Sequence, residues 1–230
     1  MQPELQTIRT APAGTLGAAQ SKVLRNTYLL LALTMVPTVI GAYIGIGTAG
    51  IVFKHPIMIS LGMLAVAIGL QYAIAANRNS ALGVGLLMLL TLLLGWWLGP
   101  ILSVALALKN GPQLVGYAAA GTGAILAAMA VIATTSKRDF SFMGKFLFVG
   151  MIALLVAMLA NMFFQIPALA LTISTLVIVV FSLFLLHDIS RIVHGGETNY
   201  IMAATGVYMS LFNIFANLLQ LLMAFTGNRD

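Results

Sequence analysis

Residues 201–225 read IMAATGVYMSLFNIFANLLQLLMAF, an apolar run broken by one regularly spaced set of small and polar residues. The set comprises Gly206, Ser210, Asn213, Asn217 and Gln220. Steps of four, three, four and three residues place all of them on one stripe of an α-helix. The run is long enough to cross a bilayer, and we expect its polar stripe to face inward, away from lipid.

Two interpretations of this stripe are open. Its side chains could join neighbouring helices by hydrogen bonds, which is the interpretation that the pattern favours. They could instead form the wall of a polar cavity or an ion path.

The rest of the chain has the composition of a membrane protein. Of its 230 residues 61% are hydrophobic and 7% are charged, whereas soluble domains carry about 25% charged residues to cover their surface. The longest basic run is Lys137-Arg138, which argues against a nucleic-acid-binding face. Cysteine is absent, so disulfides, thiolate catalysis and cysteine-ligated metals are excluded.

Apolar runs and their breaks predict an all-α integral membrane protein, a bundle of seven transmembrane helices. The predicted spans are residues 27–50, 56–76, 81–107, 113–134, 143–165, 167–188 and 201–225. They form a transmembrane domain over residues 27–226, followed by a short tail at 227–230. Residues 1–26 hold few charges and little to fold, and we expect them to form a flexible tail.

Basic residues beside the spans predict the orientation of the bundle. With the N-terminus inside, eight basic residues fall on the inner side and three on the outer side. The inner set is Arg9, Lys22, Arg25, Arg78, Lys137, Arg138, Lys145 and Arg191, and the outer set is Lys54, Lys109 and Arg229. We therefore expect a cytoplasmic N-terminus and a periplasmic C-terminus.

Small residues should mark the faces where helices pack, because lipid removes the hydrophobic drive between helices. Three faces have small residues at steps of four: Gly116, Ala120, Ala124 and Ala128 in the fourth span, Gly41 and Gly45 in the first, and Gly95 and Gly99 in the third. We expect all three faces to make close contacts between helices.

His187 and Asp188 end the sixth span, and Arg191 follows them. A charge at a helix centre costs about 2.5–3.5 kcal/mol, and less near the membrane surface. On a continuing helix Arg191 would reach Asp188 at i+3 and His187 at i+4. The group is therefore either a helix end with a local ion pair or a site for a proton or cation, since partly desolvated Asp and His titrate near physiological pH.

Catalytic constellations are missing from the sequence. The spans contain no pair of aspartates and no His-Glu-x-x-His helix, and the three histidines are scattered. Gly195-Gly196-Glu197 is too short for a phosphate loop. We expect no enzymatic activity, no certain metal site and no cofactor.

Five strings carry a family resemblance. They are KVLRNTY at 22–28, TTSKRDFSF at 134–142, NMFFQIPAL at 161–169, HGGETNYI at 194–201 and YMSLFNIF at 208–215. With them the chain resembles the Bax-inhibitor transmembrane family, and more closely its bacterial YccA-like branch, from about Lys22 to the C-terminus. The HGGETNY string is specific, whereas the apolar spans between the strings are not.

The resemblance implies a protein of the bacterial inner membrane in which six helices surround a central seventh. It also implies partners, since YccA-like members bind the membrane-bound ATP-dependent protease FtsH and its HflK/HflC companions and restrain the protease as a resistant substrate. Residues 1–20 would then be the unfolded end that the protease engages. The alternative function is a pH-sensitive calcium or cation leak, which is described for other members of the family.

Channel members of the family carry two aspartates, one at the end of the sixth helix and one in the seventh. Asp188 matches the first, but Ser210 stands at the second position, so the pair is incomplete. Asn77 stands where channel members have a basic residue, with Arg78 one step further on. Ca²⁺ would be a ligand only under this alternative. The candidate ion or proton site comprises His187, Asp188, Arg191, Ser210, Asn213 and Arg78.

Overall fold

A computed structural model describes residues 17–226, and its helices follow the apolar runs of the sequence. The described residues form helices α1 (Ala18–Gly47), α2 (Ala49–Lys54), α3 (Pro56–Ala76), α4 (Ala81–Leu106), α5 (Gly111–Thr135), α6 (Gly144–Phe164), α7 (Pro167–Val193) and α8 (Tyr200–Thr226). One turn of 3₁₀ helix, Ser141–Met143, precedes α6.

Seven of these helices are long and apolar enough to cross a membrane, and α2, with six residues, is not. Large apolar side chains cover the outside of the bundle; Tyr43 is 81% exposed and Phe146 is 77% exposed. Lipid must contact such a surface, because a soluble protein rarely exposes large apolar patches to water. The prediction of an all-α integral membrane protein is confirmed.

α1 begins earlier than the sequence predicts. Residues 18–26 belong to the predicted flexible tail, yet they are helical. Ala and Gln are good helix formers, and 30 residues give α1 a length of about 45 Å, which exceeds a hydrocarbon core of about 30 Å. The start of α1 can therefore project beyond the hydrocarbon. The rest of the predicted tail, residues 1–16, and the C-terminal tail at 227–230 lie outside the described residues.

Proline and a left-handed residue set the helix boundaries. Pro56 and Pro167 lie in the first turns of α3 and α7. The N–H groups of a first turn have no partner within the helix, so proline, which lacks an N–H, costs no hydrogen bond there. Gln165 ends α6 in the left-handed conformation at φ 52°. Asn161 Oδ1 then accepts a hydrogen bond from the N–H of Ile166 at 3.0 Å. The break predicted between the fifth and sixth spans is confirmed.

α8 lies at the centre of the bundle. It packs against α1, α3, α4, α5 and α7, whereas α6 packs against α7. One buried apolar cluster joins these helices, and its members Ile74, Leu87, Ile189, Ile201 and Val207 are each at most 1% exposed. The seventh spanning helix is therefore central, as the family resemblance implies.

The most extensive helix contact joins α1 and α4 through glycines. Gly41 and Gly45 of α1, with Gly95 and Gly99 of α4, lie so close to the facing helix that an added Cβ atom would overlap its main chain. At Gly45 the overlap would be with the carbonyl oxygen of Trp96. Only residues without a Cβ atom permit this approach, and both predicted glycine pairs are confirmed as packing faces.

The packing face predicted on α5 is wrong. Gly116, Ala120, Ala124 and Ala128 are all exposed, and a Cβ atom added to Gly116 would meet no atom within 4 Å. α5 packs on α7 and α8 with its other side, where Ala118 is fully buried. A row of small residues marks a surface that allows close approach, but within residues 17–226 no helix of this chain uses it.

We expect Gly45→Ala to lower the thermal unfolding midpoint of the detergent-purified protein by several degrees. The added methyl group must push α1 away from α4, and such overpacking costs about 1–3 kcal/mol. Gly47→Ala is the matched control, because the same change two residues away meets no atom within 4 Å and replaces a weak helix former. Equal midpoints for the two variants would contradict the prediction.

Candidate functional site

Three loops meet at the end of the bundle where α1 begins, which we call the loop end. They are residues 77–80 between α3 and α4, residues 136–140 after α5, and residues 194–199 between α7 and α8. Among the described residues seven Lys or Arg and three Asp or Glu lie at the loop end, against two Lys at the opposite end. The charged candidate residues are therefore concentrated here.

The HGGETNY string ends α7 and turns the chain towards α8. Gly195 has φ 78°, a left-handed conformation that glycine adopts without strain. The N–H of Glu197 donates to the Arg191 carbonyl at 3.0 Å and closes the turn. The Glu197 carboxylate accepts hydrogen bonds from the Asn199 N–H at 2.9 Å and from the Arg191 guanidinium at 3.4 Å. The string thus builds a rigid connection.

Asn199 ties this connection to the loop between α3 and α4. Its side-chain oxygen accepts hydrogen bonds from the N–H groups of Ile201 and Met202 at 3.0 and 3.1 Å, and so caps α8. Its NH₂ group donates at 2.8 Å to the Arg78 carbonyl and to the Asn79 side-chain oxygen. Sequence analysis missed this residue, although an Asn before an apolar run is a helix-start signal.

A second link joins the loop after α5 to α7. Asp139 Oδ1 accepts hydrogen bonds from the Ser141 hydroxyl at 2.6 Å, the Ser141 N–H at 2.9 Å and the buried Ser190 hydroxyl at 3.3 Å. The Ser190 hydroxyl in turn accepts from the Phe140 N–H at 2.9 Å. Hydrogen bonds from Ser141, and then the charge of the nearby His194, lower the pKa of Asp139. An ionised Asp139 therefore holds this loop on α7.

His187 and Asp188 form a largely buried pair on α7. His187 Nδ1 lies 3.0 Å from Asp188 Oδ1, and the two side chains are 10% and 18% exposed. Two glycines make room for them. A Cβ atom on Gly206 of α8 would lie 2.7 Å from Asp188 Oδ2, and one on Gly144 of α6 would lie 2.7 Å from His187 Nε2. The pair is thus enclosed between α6 and α8.

The predicted pairing of Arg191 with Asp188 or His187 is wrong. Among the described residues Arg191 pairs with Glu197, and it also donates to the Gly196 carbonyl at 3.3 Å. The cause is the turn after α7, which folds back over the last turn of the helix and brings Glu197 to the guanidinium. Asp188 faces α8 instead.

Two of the three amide groups of the α8 stripe, those of Asn213 and Asn217, donate hydrogen bonds within their own helix. Asn213 donates to the Met209 carbonyl and Asn217 to the Asn213 carbonyl, both at 2.8 Å. The favoured interpretation, hydrogen bonds to neighbouring helices, is wrong for these two donors, which are satisfied by a carbonyl one turn back. Ser210 is 2% exposed, and no hydrogen bond joins it to Asp188 in the described part of the chain.

Tyr208 supplies the hydrogen bonds that link α8 to other helices. Its hydroxyl lies 2.8 Å from Thr38 Oγ1 of α1 and 3.4 Å from the Thr91 carbonyl of α4. The side chain is 2% exposed, so the hydroxyl needs these partners. Sequence analysis missed Tyr208 because it lies off the polar stripe.

The candidate residues do not form one group. The structure brings together His187, Asp188 and Gly206, and it places Arg191 in the turn after α7. The side chain of Arg78 is exposed and lines a cleft beside the start of α8.

His187 and Asp188 bring an imidazole nitrogen to 3.0 Å from a carboxylate oxygen, the combination of groups that builds proton relays inside membrane proteins. Calcium binding makes larger demands, since Ca²⁺ takes about six to eight oxygen ligands. Within residues 17–226 no three His, Asp or Glu side chains are grouped so that they could hold a metal ion. By itself this pair offers fewer oxygen ligands than a calcium ion takes.

The fold and the loop end define a multi-pass α-helical membrane protein with a central, polar-striped last helix. A family model described as "Inhibitor of apoptosis-promoting Bax1" matches residues 20–227. The chain belongs to this Bax-inhibitor family.

Individual relatives cover most of the chain. An "Uncharacterized membrane protein" of Vibrio cholerae is 39% identical over 211 residues, 90% of this chain and 92% of the relative. The "Modulator of FtsH protease YccA" of Escherichia coli K12 is 38% identical over 205 residues, 87% of this chain and 89% of the relative. A protein of a second E. coli strain, with the same identity and coverage, is named "Inner membrane protein YccA". This chain is a YccA-like multi-pass protein of the inner membrane.

We expect Asp139→Asn to destabilise the protein only at pH values where the wild-type carboxyl group is ionised. Because folding lowers the pKa of Asp139, its contribution is complete above the ordinary pKa of 3.8 and is lost as the pH falls through the lower folded value. The unfolding midpoint of the variant should lie below that of the wild type at about pH 6, and the difference should shrink as the pH falls below 3.8.

Arg138→Gln is the control for this pH series, since it changes an exposed neighbouring side chain outside the Asp139 hydrogen bonds. A deficit of Asp139→Asn that persisted unchanged to the lowest pH would contradict the prediction.

Proposed function

We propose that this chain binds the membrane protease FtsH and restrains it, in the quality control of membrane proteins. The observation that carries the proposal is the 38% identity, over 87% of the chain, to the protein named modulator of FtsH protease. HflK/HflC proteins, the companions of FtsH, would be further partners in the same complex. The proposal gives the chain a binding role without a catalytic step.

The loop end would face the cytoplasm, where an ATP-dependent protease works. Seven basic residues at the loop end, against two at the opposite end among the described residues, support this orientation. Residues 1–16 precede α1 on this side and would be the part of the chain that the protease engages.

Restraint requires that the chain resist extraction from the membrane. A protease pulling on residues 1–16 would load α1 first. The α1–α4 glycine contact opposes that pull, and two hydrogen bonds add to it. The Trp96 indole N–H donates to the Thr48 hydroxyl at 2.9 Å, and the Tyr208 hydroxyl lies 2.8 Å from that of Thr38. The chain would occupy the protease without being readily degraded.

Co-purification and turnover test this proposal. We expect FtsH, with HflK/HflC, to co-purify with the tagged wild-type chain from solubilised membranes. Deleting residues 2–16 should abolish FtsH-dependent turnover and leave membrane insertion intact, because α1 begins at Ala18 and is not cut. Absence of FtsH from the wild-type preparation would exclude the binding, and unchanged turnover would exclude engagement of this segment.

The Gly45→Ala and Gly47→Ala pair is the control for the pulling step. Both variants keep the N-terminal segment, so both should still bind FtsH. Only Gly45→Ala loosens α1 from α4, and it should be degraded several-fold faster than Gly47→Ala. Equal half-lives would mean that this contact does not limit extraction.

The buried acid–imidazole pair favours a second candidate function, a proton or cation leak through the bundle. Asp188 is 18% exposed and faces Gly206 of the central helix. Because Ser210 cannot share a proton as a second aspartate would, this leak would depend on Asp188 with His187 as its partner.

Flux into liposomes between about pH 6 and 8 tests the leak. We expect Asp188→Asn to reduce proton or calcium flux about ten-fold and to change its pH dependence, because the carboxyl group that faces the central helix is lost. Arg138→Gln is the control, a change from a charged side chain to an amide at an exposed site of the same end that leaves the Asp139 hydrogen bonds intact. A bundle that conducts neither ion would exclude this function and leave Asp188 a structural role.

A further inference from the structure

Two clefts open at the loop end on either side of Tyr200, the first residue of α8. The first, of about 550 Å³, lies between the start of α1 and the α7–α8 loop, and Lys22 and Asn26 line it. The second, of about 650 Å³, lies between the α3–α4 loop and the same α7–α8 loop, and Arg78 and Asn79 line it. We call them the α1 cleft and the α4 cleft.

Both clefts lie at the level where the spanning helices begin. The α4 cleft is lined by Ala81 and Tyr200, which are the first residues of α4 and α8. The α1 cleft is lined by Lys22, Val23 and Asn26, which lie in the part of α1 that extends beyond the predicted span. Tyrosine is enriched at this depth, with its ring in the apolar layer and its hydroxyl in the headgroup layer. Clefts at this depth would lie beside phospholipid headgroups.

Each cleft is lined by one basic side chain. Lys22 and Arg78 are exposed, and neither makes an ion pair with another described residue. Glu197 also lines the α1 cleft, but its carboxylate already pairs with Arg191 and accepts the Asn199 N–H. The matching ligand is therefore anionic.

Hydrogen-bond donors accompany the two cations. The Asn79 side-chain oxygen accepts from Asn199, which leaves its own NH₂ group to donate towards the α4 cleft. Asn26 supplies a second amide in the α1 cleft. Thr198 and Tyr200 line both clefts and form the wall between them.

We propose that the α1 cleft and the α4 cleft bind the two phosphates of one cardiolipin, a phospholipid whose two phosphates are joined by a single glycerol. Two neighbouring clefts with one cation each and a shared wall match two linked phosphates. The acyl chains would lie on the apolar outer surface of the bundle. One phosphatidylglycerol in each cleft would also neutralise both positive charges. Two separate lipids would then have to be immobilised, which costs more entropy than binding a single cardiolipin.

Bound cardiolipin would fix the α7–α8 loop against α1 on one side and against the α3–α4 loop on the other. It would thereby reinforce the cap that Asn199 makes on α8. The expected result is a higher thermal unfolding midpoint, since a ligand that binds only the folded state stabilises it. This inference is independent of FtsH binding and of ion flux.

Native mass spectrometry and thermal unfolding of the full-length, detergent-purified chain test the proposal. We expect one cardiolipin per chain and a rise of several degrees in the midpoint, with phosphatidylglycerol about ten-fold weaker and phosphatidylcholine without effect. Lys22→Gln combined with Arg78→Gln should weaken cardiolipin binding at least ten-fold. The Arg78 carbonyl that holds Asn199 is retained in this variant, so its midpoint without lipid should match that of the wild type.

Lys137→Gln combined with Arg138→Gln is the matched control, because it removes two exposed charges from the same end but outside both clefts. It should keep cardiolipin binding. Equal losses in the two double variants would overturn the proposal in favour of general electrostatic attraction. Two phosphatidylglycerols bound as tightly as one cardiolipin would overturn the bridging arrangement, and competition by millimolar inorganic phosphate would overturn a lipid as the ligand. If the double variant does not fold, Lys22→Gln and Arg78→Gln alone must each weaken binding, or the proposal fails.

Discussion

The main chains of α1 and α4 touch at four glycines, and the position of the central helix depends on that contact. An apolar side chain gains little free energy by exchanging contact with lipid for contact with a neighbouring helix. The attraction between helices must therefore come from close packing. The glycine contact brings Thr38 of α1 and Thr91 of α4 to the same place, where both reach the hydroxyl of Tyr208. α8 is thereby fixed between the two helices by a buried hydroxyl, which would be costly to leave without a hydrogen bond in a dry interior.

Once α8 is fixed, the geometry of the loop end follows from short-range chemistry. The α7–α8 connection is closed by a left-handed glycine, by the Glu197 carboxylate and by the Asn199 cap, and each satisfies backbone groups that a helix end leaves unpaired. Gly206 then lies beside Asp188, so the identity of one residue on α8 decides whether the α7 carboxylate fits. The HGGETNY string therefore has a structural role, because it closes the connection between α7 and α8 and caps α8.

The spans could be predicted because the length and hydropathy of an apolar run, and the prolines beside it, define a helix without reference to the rest of the fold. The confirmed break before Pro167 is one example. The glycine pairs on α1 and α4 were also predictable, since a step of four residues creates a flat face. The same step gave a wrong answer for α5, because spacing identifies a face and not the neighbour that covers it. The Arg191 pairing failed for a related reason: i+3 geometry on an ideal helix takes no account of a loop that folds back. Tyr208 and Gly144 carry no periodic signal, so their roles emerge only when α1 and α6 are in place.

The proposed lipid contact near the start of α1 and the glycine contact of α1 with α4 differ in kind. This difference affects how the chain would resist a protease that pulls on it. A pull applied before Ala18 would reach the α1 cleft first, where Lys22 would bind the proposed lipid. It would reach the glycine contact with α4 only later, further along α1. An electrostatic contact with a lipid weakens gradually as charges separate. A main-chain contact between helices is short-ranged and is lost over a small displacement. A lipid tether at the start of α1 would therefore spread the load before it reaches the glycines, so resistance to extraction would depend on membrane composition as well as on the packing of the bundle.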